Sequence, residues 1–337
     1  MMKHTYDDLV IMQSLPLEIK VRMTEERIRS FVKEFGVNGC YISYSGGKDS
    51  TVLRHIAKGL YPEIPAVFSD TGLEYPEVRC LAIANADEVI KPEMIFREVI
   101  EKYGYPIVGK EVAQSVYYAR RNGCGHDYDK LFGLLKDENG KKSKYCTEKW
   151  SYLYNAPFRV SHRCCDEMKK KPFGKYSRST GRYPITAEMA DEGMRRKTAW
   201  LRTGCNVYMG KPKSKPMSFW TEHDVLMYIH ENDIEIPSVY GEIIETPAGL
   251  KTTGCNRTGC VFCGFGAHLE GEPNRFQRLA ETHPKLWKYC INGGEYDDHG
   301  MWNPNKKGLG MGKVLDFIGV KYENDPSLFD FEEGEKG

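Results

Sequence analysis

No apolar run in this chain approaches the roughly 18 residues that a membrane-crossing helix needs. Nor is there an excess of one charge. Lys and Arg number 48 against 47 Asp and Glu, a formal net charge of +1, so bulk charge points to no polyanionic partner. The first eight residues hold neither an apolar core nor a small-residue cleavage site, which argues against a secretory signal and for a cytoplasmic location. Without such a signal, the 11 cysteines argue against a disulfide framework and for metal or redox use. No internal repeat recurs. The common phosphate loop, with four residues between its Gly and its Gly-Lys-Ser/Thr, is also missing.

What remains is 337 residues, 40% hydrophobic and 28% charged, the profile of a soluble globular chain long enough for one large or two ordinary domains. The chain is organised around Ser45-Gly46-Gly47-Lys48-Asp49-Ser50. This hexamer follows a strand-like run (40–44) and leads into a helix-like run (51–57). A strand, a glycine turn and a helix start make an anion site, because glycine lets the backbone approach a ligand and the helix start turns N–H groups toward it. Lys48 adds a charge, and Ser45 and Ser50 add hydroxyls.

Upstream, Ile28, Phe31, Val32 and Phe35 form one apolar stripe, predicting a helix with Thr24 as N-cap and Gly36 as its stop. Downstream, a strand over 64–69 ends in Asp70-Thr71-Gly72, and Pro76 opens another helix. A short strand (88–91) and a helix (96–103) follow. Alternating strands and helices predict a parallel sheet with ligands beyond the C-terminal strand ends, so 45–50 and 70–72 are expected to line one crevice. Thr221 to Asp224 reads as a capping box opening a helix. The segment 292–312, rich in Gly, Asn and Lys, reads as irregular, and the acidic tail as disordered. The expected organisation is an N-terminal helical segment (1–36), an α/β domain (37–240) and a cysteine-rich extension (241–337).

Local charge is uneven. Between positions 159 and 215, fifteen Lys and Arg stand against five Asp and Glu, which suits a nucleotide or a nucleic-acid backbone. The cysteines cluster too: Cys164-Cys165 are adjacent, Cys260 and Cys263 form a CxxC, and Cys255 lies five residues upstream. Structural zinc, an iron–sulfur cluster and buried thiols are all open readings. An adjacent Cys-Cys pair fits paired zinc knuckles poorly.

The hexamer resembles the pyrophosphate loop of the adenine-nucleotide α-hydrolase-like superfamily. The Cys-Cys pair with its distant CxxC is similar to the pattern of adenylylsulfate reductases that carry a [4Fe-4S] cluster, within the phosphoadenylylsulfate/adenylylsulfate reductase family, and the likeness spans about 39–266. It implies a Rossmann-like α/β fold, a parallel sheet flanked by helices with a C-terminal cysteine-rich extension. It implies an adenine nucleotide (adenylylsulfate, phosphoadenylylsulfate or ATP) held by Ser45, Gly46, Gly47, Lys48, Asp49, Ser50, Asp70, Thr71 and Gly72. Asp49 would position Mg²⁺ when ATP is bound, and Arg195 or Arg196 would clamp a phosphate; Lys48, Asp49, Arg195 and Arg196 are the candidate catalytic residues. A [4Fe-4S] cluster would sit on Cys164, Cys165, Cys260 and Cys263, with Cys255 the alternative to Cys165, as in related DNA-phosphorothioation enzymes. A sulfur or electron donor protein is the implied partner.

The reductases attack sulfur with a cysteine in a C-terminal motif like Glu-Cys-Gly-x-His, and this chain has none; its last cysteine is Cys290. Either Cys290 or Cys255 substitutes, or the reaction differs. Three functions follow: a sulfonucleotide reductase, an ATP pyrophosphatase that adenylates and thiolates tRNA or DNA, and a non-catalytic cluster-bearing nucleotide sensor.

Overall fold

A computed structural model of the chain describes residues 3–247 and 249–324. These divide into two compact units, each built from two stretches. Unit 1 comprises the chain up to Glu93 and Lys169–Cys260; unit 2 comprises Met94–Met168 and the chain from Val261 onward. The tail expected to be disordered lies, from 325, outside the described residues.

Helix α1 (Tyr6–Gln13) opens on a capping box in which Thr5 and Asp8 satisfy each other's backbone N–H. Helix α2 (Leu17–Phe35) carries the predicted stripe, with Ile28, Phe31 and Val32 buried, and Gly36 ends it at φ +75°. Thr24 is not its N-cap. The helix begins about two turns earlier, after Pro16, and Thr24 is buried within it, accepting a hydrogen bond from Trp220 Nε1 at 2.8 Å. A threonine that can cap can equally satisfy a buried donor, and tertiary packing decided which.

Strand β1 (Cys40–Tyr44), helix α3 (Lys48–Leu60), strand β2 (Ala66–Ser69), helix α4 (Pro76–Asn85) and strand β3 (Glu88–Ile90) form the expected βαβ succession. The chain then enters unit 2 through α5 (Phe96–Tyr103), β4 (Ile107–Val108), α6 (Lys110–Asn122) and α7 (His126–Leu131). Arg120 on α6 gathers that region by donating to the carbonyls of Leu153, Tyr154, Ala156 and Phe158 at 2.6–2.8 Å.

Back in unit 1 come α8 (Lys171–Thr180), β5 (Tyr183–Ile185), α9 (Met194–Thr203), β6 (Asn206–Val207), β7 (Lys213–Ser214) and α10 (Glu222–Glu231). A hairpin follows, made of β8 (Ile243–Thr246) and β9 (Gly249–Thr252). The predicted capping box on α10 is present: Thr221 and Asp224 bond reciprocally, and Asp224 also takes Lys20 of α2 in a buried ion pair at 2.7 Å.

The six-stranded sheet of unit 1 runs β3-β2-β1-β5-β7-β6, parallel except for β6. Ile42 is in register with Ala66 on one side and Ile185 on the other. Alternation along β1 sends Cys40, Ile42 and Tyr44 into the main core with Phe31, Leu53 and Trp220, and Tyr41 to the other face with Val67 and Tyr176.

Unit 2 resumes with β10 (Gly264–Phe265), parallel to β4, then α11 (Arg275–Thr282) and α12 (Pro284–Ile291). The stretch expected to be irregular holds a hairpin of β11 (Glu295–Tyr296) and β12 (Trp302–Asn303), and α13 (Met311–Phe317) follows. Trp302 organises the segment by donating its indole N–H to the Gly310 carbonyl at 2.9 Å. Among the described residues no helix is long and apolar enough to cross a membrane.

Candidate functional site

The chain leaves β1 for β2 and β3 on one side and returns as β5 and β7 on the other, so β1 sits at the point where strand order reverses. Such points open a crevice at the C-terminal strand ends. There unit 1 holds a cavity of about 540 Å³. Its walls come from the 45–50 loop, the ends of β1 and β2, the segment after β5 (Thr186 to Glu188), and Glu192, Arg196, Tyr240, Arg257 and Thr258.

The loop shape follows from its residues. Gly46 has φ +74°, and a Cβ there would lie 2.7 Å from both Ala82 Cβ and the Val78 carbonyl of α4. Only glycine fits. Ser45 Oγ and Ser50 Oγ lie 2.9 Å apart, and Ser50 Oγ donates to the Gly47 carbonyl at 2.9 Å, closing the turn. Lys48 opens α3 but is only 3% exposed. Its Nζ donates to the Asn256 carbonyl at 2.6 Å and lies 3.3 Å from Glu222. Its backbone N–H donates to the Tyr240 hydroxyl at 3.2 Å, which in turn is 2.9 Å from Thr258 Oγ1. Burial pushes the Tyr240 phenol up to about 12, keeping it a neutral hydroxyl. Lysine and tyrosine together therefore pin 256–258 beside the loop.

Asp49 lines the cavity, and its buried Oδ1 has no hydrogen-bond partner. Burial raises its carboxyl above the ordinary range, opposed by Lys48, Arg257 and Arg196. Arg196 pairs with Glu192, and Arg257 approaches the same carboxylate at 4.0 Å. Two arginines thus line the cavity together with the loop and act on Asp49. Charge-assisted bonds from such groups contribute about 1.5–3 kcal/mol each to holding an anion.

Asp70, Thr71 and Gly72 are not among the lining residues, although Ser69 and Glu74 are. The Asp70 carboxylate is taken in a fork by Arg79 of α4 at 2.7 and 2.8 Å, and Thr71 donates to Glu74 at 2.7 Å. Of the arginine pair, Arg196 lines the cavity and Arg195 does not. Tyr240, Arg257, Thr258 and Glu188 are site residues that sequence reasoning missed. Tyr240 lies 192 positions from Lys48 and carries no local signal. Arg257 stood in plain view between Cys255 and Cys260, overshadowed by the thiols.

The cysteines fall in both units: Cys255 and Cys260 in unit 1, Cys164, Cys165 and Cys263 in unit 2. Cys164 is buried and the other four are half-buried. Among the described residues no group of three or more His, Cys, Asp or Glu is arranged to hold a metal ion. Cys290 is 0% exposed, and burial pushes its thiol far up.

Residues 39–95 match the family model of the phosphoadenosine phosphosulfate reductase domain. An uncharacterized protein of Methanocaldococcus jannaschii is 23% identical over 80% of this chain and 52% of its own length. Sulfate adenylyltransferase subunit 2 of Shewanella sp. (strain ANA-3) is 26% identical over 63% of each chain. The matches thus span between half and two thirds of these relatives. Among solved structures, phosphoadenylyl-sulfate reductase from Candida auris, a phosphate complex, aligns with 69% of this chain and 90% of its own at 15% identity and a TM-score of 0.35. The U34-tRNA thiolase from Methanococcus maripaludis, solved with its [4Fe-4S] cluster, aligns with 65% and 66% at 16% identity and a TM-score of 0.30. Over 39–95, the stretch that holds β1, the 45–50 loop, α3, β2, α4 and β3, the chain is similar to the phosphoadenosine phosphosulfate reductase domain.

Proposed function

We propose that unit 1 binds an adenine nucleotide in this crevice and cleaves its acid anhydride as part of sulfur transfer. One observation carries the reading: Arg196 and Arg257 line the same cavity as the Ser45–Ser50 cradle, at the C-terminal ends of β1, β2 and β5. The family-model match over 39–95 and relatives whose name joins sulfate to adenylyl transfer support the nucleotide and the sulfur theme. In the reading we favour, an acceptor oxygen attacks the α-phosphorus of ATP, the bond to the β-phosphate oxygen breaks, and pyrophosphate leaves. A sulfur nucleophile then displaces AMP. Ser45, Ser50 and the start of α3 hold the leaving phosphates, and Arg196 and Arg257 offset charge that grows as the bond breaks. Asp49 Oδ1, which accepts no hydrogen bond and lies 3.9 Å from Lys48 Nζ, suits the Mg²⁺ that accompanies ATP, which takes one or two carboxylates beside phosphate oxygens.

Burial of Cys290 favours this route over sulfonucleotide reduction, because a thiol sealed in the core is neither ionised nor within reach of a substrate. The test is product analysis with ATP plus sulfide, or with adenylylsulfate plus a dithiol reductant, each with and without RNA or DNA. The expected outcome is pyrophosphate and AMP from ATP, dependent on an acceptor. Sulfite and AMP from adenylylsulfate would restore reduction, tight binding without turnover would leave a sensor, and binding of neither nucleotide would end the reading.

We also propose a [4Fe-4S] cluster on Cys164, Cys165, Cys260 and Cys263, with Cys255 as the alternative fourth ligand. The support is the cysteine pattern alone, and the catalytic steps above do not run through the cluster. Bound, it would supply electron or sulfide handling. Protein purified without oxygen is expected to be brown with about four irons per chain; stoichiometric zinc and no iron would remove it. A sulfur or electron donor protein is proposed as partner, in keeping with relatives named as subunits.

A further inference from the structure

A second cavity of unit 1, about 510 Å³, adjoins the crevice on the Tyr41 face of the sheet. Ser43, Lys169, Phe173, Thr186 and Glu188 line both. Its rim is basic: Lys169 and Lys170 from the start of the α8 region, Lys211 and Lys213 from the turn before β7. One carboxylate, Glu188, lies among them and pairs with Lys213. Its wall is not basic. Phe173 lies nearly parallel to Tyr41 (12°, centroids 6.0 Å apart), and Pro184 and Pro212 extend the apolar surface.

An apolar, aromatic wall inside a lysine rim matches one ligand chemistry, a flat base joined to phosphates. The base covers the wall and the ammonium groups take the phosphates without demanding bidentate geometry. We propose that this groove is the acceptor subsite, and that it binds a nucleotide unit of a single-stranded nucleic acid, whose reacting group enters the crevice past Thr186 and Glu188. This rests on the crevice holding the adenine nucleotide, and it names the acceptor class left open above. The local excess of Lys and Arg over 159–215 contains all four lysines, so the basic segment found in the sequence becomes this rim.

The test uses the full chain and the variants Lys170→Gln and Lys211→Gln, both at exposed positions. Anisotropy of labelled 12-residue RNA and DNA strands is followed over a salt series, with ATP affinity measured in parallel. The expected result is oligonucleotide binding weakened about five-fold or more by each change, with a salt slope shallower by roughly 0.7 per lysine removed, and ATP affinity unchanged. Three results would overturn the proposal: oligonucleotide affinity indifferent to both variants, ATP affinity falling in step with it, or AMP or an acidic peptide competing as well as the strand. Should ATP fail to bind while strand binding still depends on the lysines, the nucleotide reading of the crevice fails, and the groove stands as a strand-binding site but not as an acceptor subsite.

Discussion

Lys48 shows how the fold gives a residue partners that its local sequence does not name. In the sequence it adds positive charge to an anion cradle; in the fold its ammonium group is buried on the Asn256 carbonyl and beside Glu222. Lys48→Met should destabilise the protein by about 1–3 kcal/mol, the scale of a charged hydrogen bond lost in a buried setting, with little added for the half-exposed Glu222. Urea unfolding measures this, and unchanged stability would show that the lysine is no strut. Tyr240→Phe keeps the ring and removes the hydroxyl joining Lys48 N–H to Thr258; about 1 kcal/mol and a weaker ATP affinity are expected from denaturation and calorimetry. Asp70 carries a pH signature. The hydrogen bonds from Arg79 hold its carboxyl below the ordinary 3.8, so the pair's contribution is complete above about pH 4 and is lost as pH falls through the folded value. Wild-type unfolding midpoints should therefore drop more steeply than those of Arg79→Gln between about pH 5 and 2.5, and parallel curves would contradict the assignment.

At the scale of elements, the turn between β1 and α3 and the join between α2 and α10 are the vulnerable points. Gly46→Ala combines a left-handed φ with a collision against the α4 backbone, which cannot rotate away. A loss of at least about 2 kcal/mol, together with loss of nucleotide binding, is expected from denaturation and ligand titration. A variant of normal stability would mean the turn can be rebuilt. Lys20→Met leaves the Asp224 carboxylate, 8% exposed, without its counter-charge, for a cost of about 3 kcal/mol. The backbone and hydroxyl donors of Thr221 remain to Asp224 and keep α10 capped, so helix content by circular dichroism should stay while the unfolding midpoint falls. Local patterns predicted the α10 cap correctly, since a capping box is closed within four residues. They misplaced the start of α2, since the true start depends on Leu17 burying against a core and Lys20 finding a partner 204 positions away.

For the whole molecule, ligand linkage gives a direct check. ATP at about 100 times its dissociation constant should stabilise unit 1 by about 2.7 kcal/mol, visible as hydrogen-exchange protection concentrated at 45–50 and 256–258. Protection elsewhere in unit 1 but not there would move the site. The sequence by itself determined the α/β class, the succession β1-α3-β2-α4-β3 and the glycine turn at Ser45–Ser50. Each of these is written in contiguous residues, as period, glycine placement or cap, and local sterics enforce it. Tertiary structure alone decided that Arg196 and not Arg195 faces the cavity, that Asp70 belongs to Arg79, that Tyr240 and Arg257 complete the crevice, and that Cys290 is sealed away. Those outcomes depend on which side chains far apart in the chain are brought within hydrogen-bonding distance and which are removed from water. The glycine turn lines the crevice at the end of β1, but the arginines that line it too lie 150 and 211 positions downstream of Gly46, brought there by the tertiary fold.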